Sequence, residues 1–361
     1  AYTKAMQEFT LTTPSYFLSA PRPADVPALA TICADPDIQR WTTIPAGYSR
    51  SDAEAFVTEF APRKWAEGSP VWLIRHTSQS APLGCVQVDV TGNGRIGRLG
   101  FWAAKEARNT GMVTEAVRAA LEYFFDKTDL AAMHWDCEVQ GSDINWASAK
   151  IAWKLGFSFL GIRPAVTVNK GEVYGLFQAT LQRGEAMEPA HAWFGPSEKH
   201  PAFSDPRRPE DLVRQFHETY SLPIVTDGPN AHRPRLPMRM SLIAEEFTEL
   251  VTAAYGKAAG EQISAAFERA VDLDDESRDI VEISDALADL VYVIYGMALE
   301  LGIPMADVLA EVQASNLSKL GADGRPIYRE DGKVLKGPHF FNPDIPRVLG
   351  LAPHNSAEHS R

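Results

Sequence analysis

The chain has 361 residues, 45% of them hydrophobic and 23% charged, and a formal net charge of −12; that is more than one core usually organises, so two domains are expected. An acidic balance excludes broad, stable nucleic-acid binding, which needs Lys and Arg to neutralise phosphates, but it allows a nucleotide site in which Mg2+ bridges carboxylates to phosphates. Cys33, Cys85 and Cys137 are widely spaced, so neither a disulfide scaffold nor a zinc knuckle is indicated. The start, AYTKAMQEFTLTTPSYF, lacks an apolar signal region, and no run reaches the roughly 18 apolar residues of a membrane span. The expectation is a cytoplasmic protein with no membrane partner.

Up to about residue 182, strand-like and helix-like segments alternate. Runs rich in β-branched and aromatic residues predict strands over 16–19, 71–76, 83–90, 95–103, 132–139, 158–162 and 174–181. Helices are predicted over 24–33, 51–65, 110–125 and 144–155. This is an α/β pattern with a mixed sheet flanked by helices. Residues 184–208 are dominated by Pro, Gly and charge and read as a linker between domains at 1–183 and 209–361. Beyond them the pattern is all helical, with helices over 209–220, 239–255, 277–301 and 305–318 and a charged connection over 256–276. The tail from Leu320 is rich in turns, Gly, Pro and Lys.

In the first half, Arg108-Asn109-Thr110-Gly111-Met112-Val113 follows the strand Leu99–Trp102 and opens a helix. A Gly-containing turn at a helix mouth presents free N–H groups and the positive dipole end to a pyrophosphate. A second motif, Asn145-Trp146-Ala147-Ser148 through Lys154-Leu155-Gly156-Phe157, precedes another strand. Together and in this order the two motifs resemble the GNAT acetyltransferases, nearest the branch that acetylates N-terminal amines of ribosomal proteins, over residues 14–182. The resemblance implies acetyl-CoA as co-substrate, its pyrophosphate on Arg108, Asn109, Gly111, Met112 and Val113, and Asn145 positioning the cofactor or a water. Asn109 and Val113 replace the usual small residues of that loop. Direct acyl transfer to an amine needs a base and a proton donor. Glu138, at a strand end facing the expected cleft, is the candidate base, and Ser148 or Tyr174 the candidate donor.

In the second half, Glu245, Glu246 and Glu249 fall within an arc of about 100° on one helix. Like charges so placed repel, and a divalent cation removes the cost. The next helix reads ALADLVYVIYGMAL, with Asp289 its only charge and Asp285 one turn earlier. A helix apolar all round is expected to be buried, and a buried carboxylate needs a metal or a base such as Arg239. Two carboxylates facing three would make a cation site inside a helical bundle. An EExxE helix followed by a D-x-x-x-D-L-V-Y-V helix resembles the MazG-like and phosphoribosyl-ATP-pyrophosphatase-like pyrophosphohydrolases, over residues 209–345. That resemblance implies a MazG-like all-α bundle and hydrolysis of a nucleoside triphosphate to monophosphate and pyrophosphate. It also implies Mg2+ held by Glu245, Glu246, Glu249, Asp285 and Asp289, with Glu245 or Glu246 orienting the attacking water. The superfamily's second-helix E-x-x-D is displaced here, since Glu282-x-x-Asp285 fits one turn early and Ala286 lies three before Asp289. In the tail, Asn316, Lys319, Lys333 and Lys336 among glycines suit phosphates, and Tyr328 suits base or ribose. Four helices rarely enclose a nucleotide alone, so a homodimer or homotetramer through this half is expected.

The leading reading is a bifunctional enzyme acting on a nucleoside triphosphate and on an amine acceptor, peptide or small molecule. A second reading is a pyrophosphohydrolase whose first half binds CoA or a partner without catalysis. A third is a nucleotide-sensing protein, against which the full EExxE triplet argues.

Overall fold

A computed structural model describes residues 6–330 and 334–351. The chain divides into two compact units, one ending at Pro206 and the other beginning at Arg207.

The first unit is built on one mixed sheet: β1 (Leu11–Thr12), β2 (Phe17–Ser19), β3 (Val71–Arg75), β4 (Gly84–Thr91), β5 (Ile96–Ala103), β6 (Ala132–Gln140), β7 (Asp143–Ile144), β8 (Ser158–Asn169) and β9 (Glu172–Gln182). Their spatial order is β1-β2-β3-β4-β5-β6-β9-β8, with β7 paired to β6. Neighbours are antiparallel except β5 and β6, which run parallel. A parallel pair needs a crossover, and α5 (Met112–Lys127) supplies it. Val117, Leu121 and Phe124 recur at helical spacing along α5 and are buried. Strand β3 is buried throughout, which its unbroken VWLI run reflects.

The remaining helices of this unit are α1 (Val26–Ile32), α2 (Pro36–Trp41), α3 (Arg50–Ala55), α4 (Ala61–Ala66) and α6 (Trp146–Lys154), with a π turn at Phe56–Phe60 between α3 and α4. Helix α2 escapes the sequence pattern because it is one short piece, yet Asp35 caps it by accepting from Asp37 N at 2.8 Å. Asp25 and Arg75, 2% and 0% exposed, form a two-pronged ion pair with both contacts at 2.6 Å. Residues 184–206, read from sequence as linker, carry a packed aromatic group: Phe194 and Phe203 are buried, and Phe194 contacts Trp146, Phe159 and Phe177 of α6, β8 and β9.

The second unit is helical: α7 (Pro209–Thr219), α8 (Leu236–Tyr255), α9 (Lys257–Val271), α10 (Ile280–Glu300), α11 (Met305–Leu317) and the short α12 (Ile345–Val348). Helix α9 corrects the expected charged connection over 256–276. Ala259, Ile263, Ala266, Phe267 and Ala270 repeat at helical spacing, and an Ala-rich segment with that period is a good helix despite its charges. Helices α7 and α11 join through Gln313, which donates to Leu212 O at 3.1 Å, and through the Tyr220 hydroxyl, which donates to Asn316 O at 2.5 Å. The expected burial of the Asp289 helix is not met within one chain. Tyr292 is 83% and Leu299 81% exposed, and of α10 only Ala298 is buried. The apolar faces of this helix find no cover in their own chain. No single helix among the described residues is long and apolar enough to cross a membrane.

Candidate functional site

The parallel pair gives the first unit its opening. β5 and β6 pair only from Ile96 opposite Ala132 to Leu99 opposite Trp135. Beyond that point Gly100–Ala103 stay bonded to β4, and Asp136–Val139 to β9. The facing edges therefore diverge with their backbone N–H and C=O groups open to a guest strand or ligand. A cavity of about 1080 Å3 lies at the divergence, lined by Gly100–Ala103, Arg108, Asn109, Gly111–Thr114, Trp135–Glu138 and residues of α6.

The turn at the mouth of α5 is shaped for an anion. Asn109 has φ 60° and Gly111 φ 83°, a left-handed geometry that Asn tolerates and Gly takes without strain. Asn109 in place of a small residue is thus compatible with the turn. Gly111 provides no side-chain cap, which leaves first-turn N–H groups for a ligand. Met112 and Val113 are buried, so the bulk of Val113 serves packing. Arg108 is engaged otherwise: it donates to Asp35 at 2.7 Å, Asp37 at 3.3 Å and Ala103 O at 3.3 Å. It ties the start of α2 to the end of β5. Burial raises the Asp35 carboxyl, but the Asp37 N–H and the Arg108 charge outweigh it and hold the group below its ordinary value.

Asn145 caps α6, its Oδ1 accepting from Ser148 N at 3.1 Å, which leaves its amide donors free. The Ser148 hydroxyl accepts from Trp135 Nε1 at 3.0 Å and keeps its own proton to donate. Glu138 stands on β6 just past the divergence and accepts from Gln140 Nε2 at 3.2 Å. Glu138, Ser148 and Asn145 line the cavity together, whereas Tyr174 is not among its lining residues. The sequence reading missed two features of this cavity. One is the ion pair of Arg98 with Asp136, at 2.6 and 2.8 Å. The other is Tyr48, whose hydroxyl is pushed well above its ordinary range by burial and then by Cys33, Asp52 and Cys85. It remains a proton donor at neutral pH. No motif surrounds Tyr48, so no sequence signal marked it. Burial raises the Cys33 thiol to about 12 and raises Cys85 further; neutral thiols do not serve as acyl-accepting nucleophiles.

In the second unit, Glu245, Glu246 and Glu249 lie on α8 and Asp285 and Asp289 on α10, all exposed. Their oxygen chemistry suits Mg2+. Among the described residues, however, no group of three His, Cys, Asp or Glu side chains is placed to hold a metal ion. One chain therefore does not assemble the cation site. Arg239, the alternative partner for Asp289, instead contacts His217 at 2.9 Å. The tail residues do gather. Lys319 donates to Asn316 Oδ1 at 3.2 Å, the Tyr328 hydroxyl donates to Tyr220 O at 3.1 Å, and the Lys336 ammonium sits 4.2 Å from the centre of the Phe340 ring. Lys333 lies outside the described residues.

Comparison with known families agrees with this division. Residues 16–158 match the GNAT acetyltransferase domain, and residues 213–316 match phosphoribosyl-ATP pyrophosphohydrolase. The chain carries one domain of each family, and both are families of enzymes. Solved structures similar to it include the GNAT acetyltransferase from Bacillus anthracis, at 15% identity over 49% of this chain and all of that one, TM-score 0.43. Another is the Salmonella typhimurium acetyltransferase that modifies the N-terminal serine of ribosomal protein L7/L12, at 15% identity over 48% and 99%, TM-score 0.42. A third is the microcin C7 self-immunity acetyltransferase in complex with acetyl-CoA and AMP, at 18% identity over 47% and 93%, TM-score 0.42. No curated protein matches the chain.

Proposed function

We propose that the chain is bifunctional: residues 1–183 transfer an acetyl group from acetyl-CoA to an amine, and residues 209–361 hydrolyse a nucleoside triphosphate to monophosphate and pyrophosphate. The parting of β5 from β6 after Leu99 and Trp135 is the observation that carries the acetyltransferase half. The pantetheine arm lies along the open edge of Gly100–Ala103, and the CoA pyrophosphate sits on the turn at Asn109–Val113. Glu138 takes the proton of the incoming amine, and Ser148 or Tyr48 returns one to the departing thiolate. Arg108 acts by holding that turn against α2.

The hydrolase half works as a homodimer or homotetramer. Helices α8 and α10 expose sixteen large apolar side chains, an extent that marks an interface, and a second copy supplies the cover that one chain lacks. Closing the bundle brings the five carboxylates into reach of a divalent cation, whose chemistry is to neutralise phosphate charge and activate water.

Calorimetry with acetyl-CoA, followed by measurement of CoA release with amine acceptors, tests the first activity. Binding without amine-dependent release, or no binding, would leave the second reading: a pyrophosphohydrolase whose first half binds CoA or a partner without catalysis.

A further inference from the structure

The match to the pyrophosphohydrolase family ends at residue 316, and the chain beyond it folds back onto the end of α11. Gly337 makes this possible. A Cβ there would lie 1.9 Å from Leu320 O and 2.9 Å from Lys319 O, so only glycine lets this backbone rest on residues 319–320. Ser315 and Ser318 fix the fold-back, the first donating to Phe341 O at 2.7 Å and the second accepting from Phe341 N at 3.2 Å.

The consequence is electrostatic. Lys336, next to Gly337, is held beside Lys319. Lys319 is half-buried, and its ammonium is lowered first by burial and then by the Lys336 charge, with no carboxylate opposing either. Holding two ammonium groups together without a counter-charge costs free energy, and an anion carrying two or more charges removes the cost. Asn316 turns its carbonyl oxygen to Lys319, which leaves its amide N–H groups as further donors.

We propose that Lys319, Lys336 and the Asn316 amide form a seat for a diphosphate that needs no divalent cation. On the hydrolase reading given above, this seat takes the pyrophosphate unit that leaves the nucleoside triphosphate. Lysine acts here as a point charge on phosphate oxygens.

The test is calorimetric titration of inorganic pyrophosphate into the full chain in excess EDTA. The expected result is saturable binding that falls roughly ten-fold or more in K336Q and in K319Q, with orthophosphate bound at least about ten-fold more weakly than pyrophosphate. K257Q, which removes an exposed lysine paired with Glu261 on α9, leaves binding unchanged. Lys336 is exposed, so K336Q is informative even if K319Q folds poorly. Absence of pyrophosphate binding, unchanged affinity in K336Q, or orthophosphate bound as tightly as pyrophosphate would each overturn the seat. No metal and no turnover enter this readout. If no nucleotide is hydrolysed while pyrophosphate still binds, the hydrolase reading falls and the seat stands.

Discussion

Leu99 and Trp135 are the last residues to face each other across the parallel pair of the first unit. Past them, β5 keeps only its β4 neighbour and β6 only β9. A wedge of open backbone results, with Glu138 on one wall and the α5 turn near its mouth.

Glu138→Gln removes the proposed base and keeps the side chain's shape. A positioned general base contributes roughly 10²- to 10⁴-fold, so kcat for acetyl transfer falls by about that factor while KM for acetyl-CoA changes little. Steady-state kinetics with a fixed amine check this. A rise in KM at unchanged kcat would assign Glu138 to binding instead.

Asp25→Ala leaves the Arg75 guanidinium buried without its partner. Breaking such a pair costs about 3–5 kcal/mol, so the denaturant-unfolding transition of the first unit moves to markedly lower concentration. Tryptophan fluorescence follows it through Trp65, Trp72 and Trp135, all fully buried.

The cysteines predict a pH dependence. Cys33 rises from an ordinary 9 to about 12 through burial. A group whose folded value is raised contributes stability that is present below its unfolded value and is lost as pH rises through the folded one. The native thiols therefore resist iodoacetamide at pH 8, acetyl transfer survives that treatment, and stability declines as pH rises from about 9 toward about 12. Rapid alkylation of the native protein at pH 8, with loss of acetyl transfer, would contradict this.

Val291→Arg places a charge on the exposed apolar face of α10, where Val291 is 56% exposed. The expected outcome is dissociation in analytical ultracentrifugation and loss of nucleotide hydrolysis, with acetyl transfer retained. An unchanged sedimentation coefficient would remove α10 from the interface.

Much of this organisation was legible in the sequence, for physical reasons. The strands stood out because β-branched and aromatic runs end at Gly, Asn or Pro, and α5 because its apolar residues recur every three to four positions. Helix α9 was hidden by its charges, although its alanines carry the helical period. Glu138, Asn145 and Ser148 were found through their place relative to strand ends and the Asn-Trp-Ala-Ser motif, and the structure sets all three around one cavity. Tyr48 belongs to a loop without pattern and is defined only by what packs on it. The burial of Asp289 was misjudged because an apolar helix predicts a cover without saying whether its own chain or another copy provides it.

The central claim is that one chain carries two separable activities, and its less certain half is the hydrolase. The direct measurement incubates the purified protein with Mg2+ and a panel of ribo- and deoxyribonucleoside triphosphates, and resolves the products. The account predicts monophosphate and pyrophosphate from at least one nucleotide, abolished by EDTA and in Glu246→Gln and Asp289→Asn, with acetyl transfer unaffected in both variants. Orthophosphate as the product, or no turnover with any nucleotide, would contradict it.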